Sequence, residues 1–137
     1  VTAAGWLHNC VFGEDYMISK SGELIMRCFH ARTTAHVLHL KTKSYAQHKA
    51  LNEFYDEIVP LVDSFAEAYQ GDYGLIEDYP KKYVYTDVPL EMINDLGSWI
   101  NENRYDCCDE DDSYLQNIID EIVALIRSTQ YKLRFLK

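Results

Sequence analysis

The feature that most restricts what this chain can fold into is a stretch of 26 residues, Tyr45 to Gln70, that keeps one helical phase throughout. Leu51, Tyr55, Ile58, Val62, Phe65 and Tyr69 recur at three- and four-residue steps, the spacing that gathers an apolar stripe on one side of an α-helix. Ser44 stands before the stripe with Gln47 three residues on, the pattern of a capping box in which hydroxyl and amide each satisfy an orphan backbone donor. Gly71 is the expected stop. Such a helix is about 39 Å long at ~1.5 Å per residue. Pro60 within it removes one donor and frees the carbonyl of Asp56, which predicts a local bend.

A one-sided helix of this length needs other helices to cover it, and the rest of the chain offers three. Leu24, Ile25, Cys28, Phe29, Ala31, Ala35, Leu38 and Leu40 have helical spacing over about 21–42. A third helix is expected from Val88 to about Asn103, with Asp87 as cap, Pro89 in the first turn, and Leu90, Ile93, Leu96 and Ile100 inward. The acidic run Asp106 to Asp112 reads as a loop whose end suits the positive N-terminus of a fourth helix from Ser113. That helix turns Leu115, Ile118, Ile119, Ile122, Leu125 and Ile126 inward. Residues 1–19 read as an irregular arm, and the Tyr- and turn-rich segment 71–86 as a connection too long for a simple hairpin. With no strand signal, the expectation is one all-α domain. It is a four-helix bundle with a long crossover between the second and third helices, the up-down-down-up arrangement.

Composition narrows the function classes. At 137 residues, 47% apolar, the chain is long enough to bury a core as one domain. No apolar run reaches the roughly 18 residues of a membrane span, and the first residues lack a basic n-region, so a cytoplasmic location is expected. The net charge of −9, from 22 acids against 13 bases, disfavours nucleic acid, whose phosphates are met by Lys and Arg. Cys10, Cys28, Cys107 and Cys108 fit no zinc-ligand spacing and are expected to be reduced thiols. Nucleophile triads, phosphate-binding glycine loops and dinucleotide fingerprints are absent.

The residues that could carry chemistry are His36, His48, Asp63 and Glu67. Twelve positions separate the histidines, fifteen separate His48 from Asp63, and four separate Asp63 from Glu67. Imidazole and carboxylate together form the donor set that suits first-row metals such as iron. Relative to His48, Asn52 lies at roughly 40°, Asp63 at roughly 60° and Glu67 at roughly 100° around the helix, at ~100° per residue. All are on one side, yet His48 and Glu67 are roughly 28 Å apart along the axis. One chain cannot bring them to one ion. A second copy, antiparallel across a two-fold axis, would do so twice. His39, three residues after His36, lies on a neighbouring face and could be the inward ligand instead. No histidine follows His48, which excludes a single-chain di-iron pattern built on later helices.

The segment His36 to Gly71 resembles the first two helices of Dps-type mini-ferritins. Their ferroxidase pattern is a His, a second His twelve residues on, and Asp-xxx-Glu fifteen residues further. The resemblance implies a ferritin-like four-helix fold and a homo-oligomer with iron sites shared between subunits. His36 and His48 would come from one chain, and Asp63 and Glu67 from its mate. It also implies oxidation of Fe(II) by peroxide or oxygen and storage of the product in a hollow shell. This sequence departs from the pattern at Asn52, where many members carry another carboxylate, and at Val37, where a tryptophan is usual. LHLKTKSYAQ replaces a glycine-containing loop, and there is no Lys-rich terminal arm. A looser resemblance, carried by HLKTKSYAQHKAL and YKLRFLK, is to small uncharacterised ferritin-like proteins of tailed bacteriophages. The competing expectation is a non-enzymatic interaction protein on the same scaffold, with Asp106 to Asp112 as its contact.

Overall fold

The computed structural model describes residues 19–81 and 86–137. The expected irregular arm therefore lies, apart from Ser19, outside the described residues. Among the described residues there are four helices: α1 Lys20–Lys41, α2 Tyr45–Tyr73, α3 Pro89–Cys107 and α4 Ser113–Phe135. No strand occurs among the described residues, so the all-α expectation holds. α1 packs against α2 and α3, and α4 packs against the same two.

Helix directions follow from contacts at the ends. The three residues 42–44 turn α1 back into α2, making them antiparallel. Lys41 bonds Asp87 at 2.9 Å, just before α3, and the Cys107 thiol at the end of α3 reaches the Lys20 carbonyl at 3.4 Å. α3 therefore runs antiparallel to α1. Tyr73 bonds Asp112, Tyr114 bonds Asp72, and Lys132 pairs with Glu53, which sets α4 antiparallel to α2. α2 and α3 therefore point the same way. Beyond α2 the chain passes the start of α1 so closely that a Cβ on Gly22 would sit 2.8 Å from the Asp78 carbonyl oxygen. Between α1 and α3, flanked by Pro80 and Thr86, lies an open groove of about 390 Å³.

The core follows most of the stripe the spacing implied, with Phe54 added to it and Ile118 and Leu90 only partly buried. Leu51, Phe54, Ile58, Phe65, Ile93, Leu115, Ile119, Ile122 and Ile126 are fully buried, and each contributes roughly 1.5–3 kcal/mol by leaving water. Leu40 departs from the expectation: it lies in the last turn of α1 and is 73% exposed, because the bundle has ended on that side. Tyr55 is only partly buried and belongs to the histidine cluster described below.

Several boundaries differ from the sequence reading for local reasons. The second helix runs through Gly71 to Tyr73, and Gly74, at φ 90°, makes the stop. Gly71 has helical backbone, and a side chain there would meet nothing within 4 Å. Val88, not Asp87, is the N-cap of α3, since the Asp87 carboxylate is engaged by Lys41. α3 continues through Asp106 to a fully buried Cys107, so the acidic loop is shorter than expected. Gln116 holds that turn by donating to the carbonyls of Arg104 and Cys108 and accepting from Arg104 Nε. The capping box on α2 is half formed. Ser44 Oγ accepts from the Gln47 amide, but the Gln47 side chain accepts from the Thr42 hydroxyl.

Candidate metal centre

The tight turn after α1 decides the geometry of the histidines. Because only three residues separate α1 from α2, side chains in the last turn of α1 face those in the first turn of α2. His39 and His48 stack, with ring centroids 3.6 Å apart and planes 19° from parallel. His39 Nδ1 lies 2.8 Å from the His48 carbonyl oxygen, and His48 Nδ1 lies 3.0 Å from the His39 carbonyl oxygen. A carbonyl oxygen only accepts, so each Nδ1 carries a proton, and in the neutral ring Nε2 keeps the lone pair. The His39 carbonyl belongs to the last turn of α1, where intrahelical donors run out. His48 therefore caps α1 from the neighbouring helix.

His36 lies one turn back on α1. It stacks on Tyr55 at 4.1 Å and meets His39 edge-on at 5.8 Å. Tyr55 also stands edge-on to His39 at 5.2 Å, and its hydroxyl donates to Asn52, whose amide donates to Asp56. His39 is 7% exposed, while His36 and His48 are partly buried. Three imidazoles and a phenol thus form one cluster at the hairpin end of the bundle. The sequence reading put Tyr55 in the core stripe, although its position seven residues after His48, two helical turns, places it on the histidine side.

Asp63 and Glu67 are not in this cluster. Both are exposed on α2, roughly 22 and 28 Å along the axis from His48 at ~1.5 Å per residue. Among the described residues, no three His, Cys, Asp or Glu side chains of one chain are grouped to hold a metal ion. The donor chemistry nonetheless suits one. Metal-bound imidazoles commonly donate their other ring N–H to a backbone carbonyl, as His39 and His48 do.

Elsewhere the titratable groups are structural. Cys28, Cys107 and Cys108 are free and buried. Burial pushes the Cys28 thiol up to about 12 and the Cys108 thiol to about 11, and raises Cys107 as well. At the far end of the bundle the hydrogen bond to Asp72 is the main cause that holds Tyr114 up to about 12, and the bond to Asp112 raises Tyr73. His30, beside the α1–α3 groove, is lowered by desolvation and by the charge of Arg27. No helix among the described residues is long and apolar enough to cross a membrane.

Known proteins place this arrangement in a lineage without assigning it chemistry. An uncharacterized 14.6 kDa protein in the mobD-ri intergenic region of Enterobacteria phage T4 is similar to the chain. It is 29% identical over 127 residues, covering 89% of this chain and 94% of the relative. No solved structure matches the chain. The model of a family of unknown function, DUF5856, matches residues 39–133, a span from the buried imidazole of His39 through the last turns of α4. The chain belongs to that family.

Proposed function

We propose that this chain is a Dps-like, ferritin-like bundle protein that associates through its α1–α2 face and binds iron at sites shared between copies. The observation that carries the reading is the histidine cluster: His39 and His48 fixed by carbonyl hydrogen bonds with Nε2 left over, and among the described residues no group of three His, Cys, Asp or Glu of one chain to complete a site. The shared direction of α2 and α3 supports the ferritin-like fold. On α2, His48, Lys49, Asn52, Asp56, Asp63 and Glu67 fall within roughly 100° of one another around the axis. An antiparallel second copy centred near Asp56 would bring His48 and Lys49 of one chain toward Asp63 and Glu67 of the other, once on each side of a two-fold axis.

In this reading Fe(II) is the substrate and gives its electron to oxygen or peroxide. The protein supplies position and charge. His36 and His48 offer neutral nitrogen donors, Asp63 and Glu67 offer anionic oxygens that favour the higher charge of the product, and buried His39 keeps water from one side. The direct test is anaerobic Fe(II) titration followed by aerobic oxidation, comparing the native protein with His48→Ala/Asp63→Ala. Binding and oxidation above the buffer rate that vanish in the variant support the reading; a native protein that binds no iron ends it.

One observation favours a second reading, a metal-free interaction protein. Leu40 and Tyr45 are 73% and 76% exposed beside the cluster, with Val37 next to them, an apolar patch of the kind that marks contact sites. A protein that stays folded and associates through this patch with no metal bound would fit it. The acidic turn is the weaker contact, because Asp112 is engaged by Tyr73.

A further inference from the structure

The three histidines need not play one role, and the geometry of the stack separates them. Two imidazoles can share an ion only if their in-plane lone pairs converge. The rings of His39 and His48 lie 19° from parallel and 3.6 Å apart, so the lone pairs on their Nε2 atoms run in nearly parallel planes and do not meet at one ion. At most one of the pair is a ligand. His39 is the enclosed member, at 7% exposed, with His36, His48 and Tyr55 around it. His48 is the accessible one.

We infer that His39 is a positioning residue: its stacked ring holds His48 in the Nδ1–H tautomer, leaving Nε2 as the atom through which His48 meets a metal. The inference rests on the shared-metal reading for its use, although the tautomer itself can be tested without any metal. In water, neutral imidazole favours the Nε2–H form. The reciprocal hydrogen bonds reverse that preference in both rings, because both acceptors are carbonyl oxygens. The acceptor for His48 is the backbone of residue 39, not its side chain. The His39 ring acts by stacking, which keeps the His48 ring in the plane from which Nδ1 reaches that carbonyl. The sequence pattern left His36 and His39 as alternative ligands; this geometry gives His39 the supporting role and leaves His36 as the candidate ligand on α1.

The test combines a tautomer measurement with a metal titration on the whole chain. With ¹⁵N-labelled histidine at pH about 8.5, above the ordinary imidazole pKa of about 6.5, long-range ¹H–¹⁵N correlations report which ring nitrogen bears the proton. Both His39 and His48 are expected as Nδ1–H in the native protein. His39→Phe, which keeps a stacked ring, should leave His48 as Nδ1–H. His39→Ala, which removes the ring, should return His48 to a mixture led by Nε2–H. With Co(II) as a redox-stable probe read by its visible absorption, His39→Ala should weaken binding about tenfold, in the range for losing a supporting contact. His39→Phe should weaken it less, and His48→Gln more.

Three results would overturn the inference: His48 in the Nε2–H form in the native protein, an unchanged His48 tautomer in His39→Ala, or His39→Phe impairing Co(II) binding as severely as His48→Gln. If the tautomers are as expected and the native chain binds no Co(II), the lock stands and the shared-metal reading is what fails.

Discussion

Exchanging each stacked histidine for phenylalanine separates two hydrogen bonds that look symmetrical. Both substitutions keep an aromatic ring in the 3.6 Å stack, so the stacking contribution of roughly 0.5–1.5 kcal/mol largely survives in each. The difference lies in the acceptors left behind. The His48 carbonyl is in the first turn of α2 and takes part in the helix ladder there, so His39→Phe removes one extra bond and leaves nothing unpaired. The expected loss is about 1 kcal/mol. The His39 carbonyl is in the last turn of α1, beyond the intrahelical donors, so His48→Phe leaves an acceptor without its donor at a partly buried position. Its expected loss is about 2–3 kcal/mol. Urea unfolding at pH about 8 reads the gap as a lower midpoint at unchanged slope. If His39→Phe costs as much as His48→Phe, His48 is not capping α1 and the assignment of the two bonds is wrong.

Three further outcomes are expected. The hydrogen bond to Asp72 holds Tyr114 up to about 12, so its proton-bound form is favoured on folding. That contribution is complete below the ordinary value of about 10 and is lost as pH rises through about 12. Asp72→Asn should move the Tyr114 titration, followed by phenolate absorbance, back toward about 10; an unmoved titration would contradict the assigned cause. In a Cys10→Ser background, a thiol reagent at pH about 8 should modify Cys28, Cys107 and Cys108 only upon unfolding, since thiolate and access are both withheld; rapid labelling of the folded protein would refute this. A two-fold axis near Asp56 would bring that exposed carboxylate opposite its own copy. Two unit charges roughly 6 Å apart in water repel by about 0.7 kcal/mol, so Asp56→Asn should tighten self-association roughly threefold in sedimentation experiments, and weaker association would place the axis elsewhere.

What could be read from the sequence was whatever repeats along the chain. Leu51, Ile58, Val62, Phe65 and Tyr69 are buried where the period placed them, and Ser44 caps α2 as its position implied. The impossibility of one chain joining His48 to Glu67 follows from helix rise alone. What escaped depends on contacts between segments. Asp87 is a good cap by residue type, but Lys41 from 46 positions away takes its carboxylate. Gly71 looks like a stop, yet the positive φ that requires glycine is at Gly74. The pairing of His39 with His48, nine residues apart, needs the turn geometry of 42–44 before it exists. Periodicity could not foresee it, since residues on different helices have no fixed phase.

The shared site is tested most directly by mixing two defective chains. His48→Ala removes the nitrogen half and Asp63→Ala/Glu67→Ala removes the carboxylate half, and each variant alone should bind no Fe(II) at the site. Coexpressed in equal amounts, half of the two-fold pairs are mixed and each mixed pair holds one intact site, so about a quarter of native Fe(II) binding should return. Failure of the mixture to recover binding, or native-level binding by either variant alone, would contradict a site built from two copies of this chain.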